Sequence, residues 1–354
     1  MTGRAGANGV PLRVIQWATG NIGSRALREV IRDLRLELVG LRVYDPEKVG
    51  VDAGEFVGEG STGVTATDDR DALVALGADC VLYMPRIFDL DDVVAFLEAG
   101  TNVVATRDEL CGGGRHLSDE DRTRLLDACR RGNSSAFATG SSPGFITETL
   151  PFALLSLQRH VDSVEIDEFA NMSRRDSPHM IFKQMGFGRP PEAFNPNRSS
   201  HLLAAFSPSL ELLAAAADRP IESWTCHGEV AAATRDVTLA AGELAAGTVG
   251  AQRTVLTGSS GGSVAVKFTA NWYCTTDLDP AWELGATGWR VQVHGDAPMD
   301  VALPFPIPLD DLGAYTPGYT ANPPVNAIPY VYAAAPGILA TTDLPPITPA
   351  GPIR

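Results

Sequence analysis

The stretch LRVIQWATGNIGSRALREVI at residues 12–31 decides the fold of the first half of the chain. It opens with an apolar run of strand type, passes through the small residues Ala18, Gly20 and Gly23, and continues as an amphipathic segment. Small residues let the backbone turn tightly and let a helix pack close to the preceding strand. The pattern therefore predicts a strand, a tight turn and a helix whose first N–H groups face an anionic ligand.

Apolar runs and amphipathic segments alternate from Leu12 to about Phe137. The runs that predict strands are LRVIQWA at 12–18, LELVGLRVY at 36–44, DCVLYM at 79–84, NVVAT at 102–106 and SAFATG at 135–140. The segments between them predict helices, the last of which, SDEDRTRLLDACRRG, is expected to be capped by Ser118. This alternation is typical of a doubly wound parallel sheet with helices on both faces, the Rossmann architecture.

The pattern changes after Pro151. Alternating segments at 163–171, 223–233, 263–274 and 290–295 predict an antiparallel or mixed open sheet in a second, α+β domain. The glycine pair at 261–262 predicts a hairpin turn. The proline-rich segment 304–324 predicts a loop or wrapping arm, and 326–338 predicts a short helix interrupted by Pro329. The expected domains are residues 1–145, 146–320 and a C-terminal segment, 321–354, that returns to the first domain.

Composition excludes several classes of protein. A formal charge of −15 opposes binding to nucleic acid, and no apolar stretch reaches the roughly 18 residues of a membrane span. We therefore expect a cytoplasmic globular protein with neither partner. The five cysteines are expected to be reduced thiols. For Cys111, an exposed and reactive thiol remains an alternative. The six histidines have no spacing that predicts a metal site.

The turn after the first strand matches the dinucleotide fingerprint, with alanine in place of its first glycine. Asp45 follows the second strand, where an acid accepts hydrogen bonds from a ribose 2′-hydroxyl and so favours NAD. Arg42 and Lys48 lie nearby and can pair with a 2′-phosphate, which leaves NADP open, and an ordinary glycine turn remains the alternative. The residues expected to bind the cofactor are Ala18, Thr19, Gly20, Asn21, Ile22, Gly23, Asp45, Lys48, Pro85, Arg86, Thr106 and Pro143.

Several segments resemble a known family. They are QWATGNIG at 16–23, DPEKVGVDAGE at 45–55, NVVATRDEL at 102–110, TGSSPGF at 139–145, MGFGRPP at 185–191 and VNAIPYVYAAAPGI at 325–338. Over nearly its whole length the chain resembles the 2,4-diaminopentanoate dehydrogenase and native amine dehydrogenase family, often labelled dihydrodipicolinate-reductase-like. It departs from the family pattern at Ala18, at Ser142 and in CGGGRH after Glu109. The HHxxK motif of true dihydrodipicolinate reductases is missing, which argues against lysine-pathway reduction.

The resemblance implies an NAD(P)-dependent, usually homodimeric enzyme that interconverts amines and carbonyls with ammonia. It places the catalytic acid at Glu109, with Asp108 as the alternative and as a substrate contact. An acid at the carboxyl end of a strand also agrees with where open α/β sheets bind ligands, although a solvated loop acid would give the same pattern. A reductase of another C=O or C=N substrate and a dinucleotide-binding regulator remain alternatives.

Three further residues are expected to contact a small carbonyl or amine substrate. Phe145 follows a Pro-Gly turn and would form an apolar wall, although a tight turn into a helix explains it equally well. Met185 would line the pocket, or belong to the core or an interface together with Phe187. His179 would be a substrate contact, or an ordinary surface histidine.

Overall fold

A computed structural model describes residues 10–191 and 196–349 of the chain. The chain folds into two compact units. Of the residues that the structure describes, those up to Phe145 and from Thr316 onwards form the first unit, and those within Ile146–Tyr315 form the second.

The first unit is built on a parallel sheet. Its described strands, numbered in chain order, are β1 (Leu12–Trp17), β2 (Leu36–Arg42), β3 (Ala66–Thr67), β4 (Cys80–Tyr83), β5 (Asn102–Ala105), β6 (Ser135–Ala138) and β16 (Gly337–Leu339). The order across the sheet is β16-β6-β5-β4-β1-β2-β3, and every neighbouring pair is parallel. The chain leaves β1 for β2 on one side and later fills β4 on the other. The carboxyl end of β1 is therefore a topological switch point, where such sheets bind ligands.

Helices cover both faces of this sheet. They are α1 (Asn21–Arg32), α2 (Arg70–Val74), α3 (Leu90–Glu98), the left-handed glycine turn α4 (Cys111–Gly114) and α5 (Asp119–Gly132). Val81 and Val103 pack with Phe96 of α3 on one face. Their neighbours Leu82 and Val104 pack on the other. Every residue of β4 and β5 is buried, as expected for strands covered on both sides. The predicted doubly wound sheet is confirmed, and Ser118 caps α5 as predicted.

The proline-rich C-terminal region forms a long helix, α8 (Leu312–Tyr332). The predicted loop over 304–324 is therefore found only before this helix, at 305–308, and was wrong from Leu312 onwards. The prediction of a short helix broken at Pro329 was also wrong. Four prolines lie inside this helix, and each removes a backbone hydrogen bond. Its residues Ala321, Val325, Ile328 and Val331 recur at helical spacing and are buried in the core that contains Leu82. Burial of this face outweighs the weak helix propensity of the segment. The chain then adds β16 beside β6.

The second unit contains a mixed sheet. Its described strands are β7 (Val161–Asn171), β8 (Ser223–Ala233), β9 (Val237–Leu239), β10 (Gly242–Leu244), β11 (Val249–Ser260), β12 (Ser263–Tyr273), β13 (Leu278–Asp279), β14 (Gly288–Gly295) and β15 (Met299–Pro304). The sheet order is β13-β8-β11-β12-β7-β14-β15, with β9 and β10 as a separate ribbon. β7 runs parallel to β12 and the other pairs are antiparallel. The turn at Gly261–Gly262 joins β11 to β12, which confirms the predicted hairpin.

In the described part of the second unit two α-helices precede β8, namely α6 (Leu150–Leu155) and α7 (Pro196–Ala216). Phe206 of α7 stacks on Phe268 of β12 with ring centroids 4.3 Å apart, so α7 packs on one face of the sheet. No helix in the described ranges is long and apolar enough to cross a membrane.

Candidate active site

The turn after β1 has the geometry of a phosphate-binding loop. Gly20 is the N-cap residue of α1, and neither a side-chain cap nor an acidic residue occupies the first turn. The N–H groups of Asn21, Ile22 and Gly23 lie at the positive end of the helix dipole. A side chain at Gly23 would bring its Cβ to 2.2 Å from the carbonyl oxygen of Ala18, so this position requires glycine.

The turn leaves space for a dinucleotide. A Cβ at Gly20 would meet no atom within 4 Å, so the backbone there is open to a ligand. Ala18 has a φ of 78°, in the left-handed region that glycine adopts without strain. This explains why the fingerprint places glycine at that position, and the carbonyl oxygen of Ala18 is held by the side-chain amide of Gln16 at 3.0 Å.

The segment after β2 brings a cation to the same turn. Lys48 Nζ lies 3.4 Å from the hydroxyl oxygen of Thr19, at hydrogen-bond distance. The Asp45 carboxylate accepts a hydrogen bond from the backbone N–H of Glu47 and so caps its own short turn. Arg42 stacks over the rings of Trp17 and Tyr44. Both an acid for a ribose hydroxyl and a cation for a 2′-phosphate are present.

The segment after β5 carries the predicted acid, and it also carries an arginine that the sequence analysis did not single out. Arg107 donates from Nη2 to Glu109 Oε1 at 2.7 Å and from Nε to Glu109 Oε2 at 3.1 Å. The two side chains are 21% and 33% exposed. Burial opposes the charge on Arg107, but the hydrogen bonds and charges of Glu109 and Asp108 outweigh burial and raise the pKa of the guanidinium group.

Arg107 also joins the loops after β4 and β5. Its Nη1 donates to the backbone carbonyl of Arg86 at 3.1 Å. Pro85 is buried, whereas Arg86 is exposed, and Thr106 is half-buried between β5 and the Asp108–Leu110 turn. The guanidinium group therefore fixes Glu109 relative to two neighbouring strand ends.

Cys111 is 3% exposed, so the alternative of an exposed, reactive thiol was wrong. Gly112, Gly113 and Gly114 all have positive φ. A Cβ at Gly114 would approach Leu117 to 2.7 Å and Ile338 to 3.2 Å. The glycine run thus allows the chain after Glu109 to pack closely beside β16.

The segment after β6 forms a tight turn next to these strand ends. The Phe145 N–H donates to the Gly140 carbonyl at 2.8 Å, which closes the turn around Pro143. Gly144 has a φ of 121°, and a Cβ there would lie 2.5 Å from the Gly140 nitrogen. The hydroxyl groups of Ser141 and Thr320 are 2.7 Å apart and join this turn to α8, a contact that no local pattern predicts.

All the predicted residues of the first unit follow parallel strands or begin the helix after β1. Because parallel strands end at one edge of a sheet, the structure brings the α1 turn, Asp45, Arg86, Glu109 and Pro143 to the same edge. In the second unit, His179 is exposed at the start of a helical segment. Met185 is half-buried against the core that contains Phe187, which is 1% exposed. No group of three metal-binding side chains occurs among the described residues.

Comparisons with known proteins agree with this fold. No protein-family model matches the sequence. The chain is 27% identical over 350 residues to a protein described as an amine dehydrogenase from Streptomyces virginiae, covering 94% of this chain and 96% of that protein. It is also similar to the structure of amine dehydrogenase from Mycobacterium smegmatis, with a TM-score of 0.75, 20% identity, and coverage of 96% and 97% of the two chains.

A more distant likeness is to myo-inositol dehydrogenase from Lactobacillus casei in complex with NAD(H) and myo-inositol. Its TM-score is 0.57 and its identity 11%, covering 94% of this chain and 89% of that one. The comparisons confirm the predicted fold class and the resemblance to amine dehydrogenases. They also support the predicted enzyme class, an NAD(P)-dependent oxidoreductase.

Proposed function

We propose that this chain is an NAD(P)-dependent amine dehydrogenase, which converts a small ketone or aldehyde and ammonia into an amine and catalyses the reverse deamination. The observation that carries the proposal is the position of Glu109. It is an acid held in a fixed orientation at the carboxyl end of β5, on the sheet edge that also carries the open N-terminus of α1. The 27% identity to an amine dehydrogenase over 94% of the chain supports this assignment.

The first turn of α1 would hold the cofactor through its pyrophosphate. The N–H groups of Asn21, Ile22 and Gly23 would donate to that group, and the open space at Gly20 would admit it. When bound, the reduced nicotinamide supplies the hydride. Pro85, Arg86, Thr106 and Pro143 follow neighbouring strands and are proposed to contact the rest of the dinucleotide.

Glu109 is proposed to hold ammonia or the amine and to move its protons. An ionised carboxylate has about four acceptor positions, two on each oxygen. Arg107 uses one on each oxygen of Glu109, so a position on each remains for an N–H group. Arg107 thus keeps Glu109 oriented while the carboxylate can stabilise a positively charged nitrogen.

The remaining predicted contacts are retained as proposals. Phe145 would give the substrate an apolar wall, Asp108 would offer a second acid, and Met185 and His179 would be substrate contacts. We also propose that the protein forms a homodimer.

The test is NADH and NADPH oxidation over a panel of small ketones and aldehydes, with and without concentrated ammonium at alkaline pH. We expect turnover that requires ammonium. Turnover independent of ammonium would assign a simple carbonyl reductase, and cofactor binding without any turnover would favour a regulator.

Three substitutions that keep the size of the side chain test which acid is catalytic. We expect Glu109→Gln to abolish ammonium-dependent turnover while leaving cofactor binding intact. Glu120→Gln makes the same chemical change on the exposed side of α5 and serves as the matched control. If Asp108→Asn abolished turnover and Glu109→Gln did not, the assignment of Glu109 would be wrong and the role would pass to Asp108.

A further inference from the structure

Gln16 is a buried amide next to the apolar core of the first unit. It follows Leu12 and Val14 on the same face of β1, and both of these belong to the core that also contains Val30 of α1. Because side chains alternate along a strand, a third apolar side chain would be expected at this position. Gln16 is instead 0% exposed, and its Oε1 atom is enclosed without a hydrogen-bond partner among the described residues. Burying such an atom is unfavourable, so another contact of the amide has to compensate.

That contact is a hydrogen bond to the turn after β1. Gln16 Nε2 donates to the Ala18 carbonyl oxygen at 3.0 Å and lies 3.5 Å from the Trp17 carbonyl oxygen. Carbonyl oxygens only accept hydrogen bonds, so the nitrogen of the amide has to face them and the oxygen has to face away. A Cβ at Gly23 would lie 2.2 Å from the Ala18 oxygen and 3.1 Å from Gln16 Nε2. The amide therefore lies beside both the turn and the start of α1.

Ala18 is strained in a way that glycine would not be. Its φ of 78° lies in the left-handed region, where the Cβ of an L-residue is crowded by the backbone. Its N–H donates to the Arg42 carbonyl at 3.0 Å, so β2 holds the residue at its nitrogen and Gln16 holds it at its oxygen. Glycine adopts this φ without strain and would need less support. The support matters here because alanine stands where the fingerprint has glycine.

Donors hold the carbonyl groups of all three residues of the turn. The Thr19 carbonyl accepts a hydrogen bond from Ser24 Oγ at 3.0 Å, and the Gly20 carbonyl accepts one from the Ser24 N–H at 2.8 Å. The third is the bond from Gln16 to Ala18. Carbonyl oxygens carry negative partial charge and repel an anion, so an anion-binding turn has to keep them turned away from the ligand. Loss of the Gln16 amide would release the carbonyl of the strained residue.

We propose that Gln16 is a positioning residue for the cofactor. It holds the left-handed Ala18 and thereby keeps the first turn of α1 in the shape that binds the pyrophosphate. The proposal rests on the proposed function in one respect, namely that the turn after β1 binds the dinucleotide. Its consequence is that the contribution of Gln16 to cofactor affinity depends on which residue stands at position 18.

The test is a double-mutant cycle of cofactor affinity in the full-length protein, and it requires no turnover. Gln16→Met keeps the approximate size of the side chain and removes the amide. NADH and NADPH are titrated into wild type, Gln16→Met, Ala18→Gly and the double variant. We expect Gln16→Met alone to weaken binding of the preferred cofactor by roughly five- to thirtyfold, the factor that corresponds to the strain of one left-handed alanine. In the Ala18→Gly background the same change should weaken binding by about twofold or less.

Gln252→Met is the matched control. Gln252 of β11 is 3% exposed, its Oε1 atom has no partner in the described part of the chain, and its Nε2 donates to the Met185 carbonyl at 2.7 Å. Its substitution should leave cofactor affinity unchanged with either residue at position 18. Thermal unfolding shows whether each variant is folded. Gln16→Asn, whose amide is one carbon shorter and does not reach the turn, takes the place of Gln16→Met if that variant does not fold.

Two results would overturn the proposal while leaving the cofactor site in place. One is an unchanged affinity in folded Gln16→Met, and the other is an equal loss with alanine and with glycine at position 18. Failure of wild type to bind either cofactor would be a different result, because it would refute the cofactor site itself and this role of Gln16 with it. These binding measurements are independent of whether ammonium supports turnover.

Discussion

Gly20→Ala should separate the stability of the protein from its ability to bind the cofactor. Gly20 has φ and ψ of −70° and −177°, which alanine also adopts, and its Cβ would meet no protein atom within 4 Å. The substitution should therefore stabilise the cofactor-free protein by about 0.4–1 kcal/mol, because alanine restricts the unfolded chain. The methyl group, however, would occupy space that the pyrophosphate needs. A misplaced group of this size costs about 1–3 kcal/mol, which is roughly a 5- to 150-fold loss of affinity.

Gly23→Ala is the matched comparison. Its Cβ would lie 2.2 Å from the backbone oxygen of Ala18, so the same methyl group should destabilise the cofactor-free protein, by about 1–3 kcal/mol or more. Urea unfolding followed by circular dichroism measures the stability, and titration of NADH and NADPH measures the affinity. If Gly20→Ala bound both cofactors as tightly as wild type, the turn after β1 would not be the pyrophosphate site.

Three further predictions concern the loops of the first unit. Ala18→Gly should raise the free energy of unfolding slightly, because removing the strain of a left-handed alanine, about 1–2 kcal/mol, outweighs the greater conformational freedom of glycine in the unfolded chain. Ala26→Gly inside α1 is the control and should lower the free energy of unfolding. Urea unfolding in which both changes had the same sign would contradict this. Lys48→Ala should weaken NADPH binding by roughly tenfold and change NADH binding little. Asp45→Asn keeps an oxygen that accepts the hydrogen bond from Glu47 N–H, and it should shift the ratio of affinities towards NADPH. Unchanged ratios would show that neither residue selects the cofactor. The pKa of Asp52 lies well below its ordinary value, chiefly because the Thr62 and Gly54 N–H groups donate to the carboxylate, so the stabilisation by Asp52 is present above the ordinary aspartate pKa and is lost as the pH falls towards the lowered pKa. Asp52→Asn should therefore lose less melting temperature between pH 7 and pH 3 than wild type does. An equal loss in both proteins would contradict this.

The part of the site that could be predicted from sequence is the part set by neighbours in the chain. The β1 turn and α1 follow from a strand pattern, small residues at fixed spacing and a helix pattern, all within residues 12–32. Glu109 could be placed because it directly follows a buried strand, and the edge of a parallel sheet collects such residues.

Other features depend on residues distant in sequence. Leu312–Tyr332 is helical because the core buries Val325 and Ile328. The prolines of this segment disfavour a helix, so its local sequence does not predict one. The hydrogen bond from Arg107 to the Arg86 carbonyl joins loops that follow two different strands, 21 residues apart in the chain. The hydrogen bonds that the Trp272 and Trp289 indoles donate to Glu168 join residues 104 and 121 positions apart.

The most direct test of reductive amination follows the nitrogen. The protein would be incubated with an active carbonyl substrate, NADH or NADPH and ¹⁵N-labelled ammonium, and the product would be identified by mass spectrometry. We expect an amine that carries the label, formed in a one-to-one ratio with the oxidised cofactor and absent with Glu109→Gln. An alcohol formed at the same rate with or without ammonium would contradict the account.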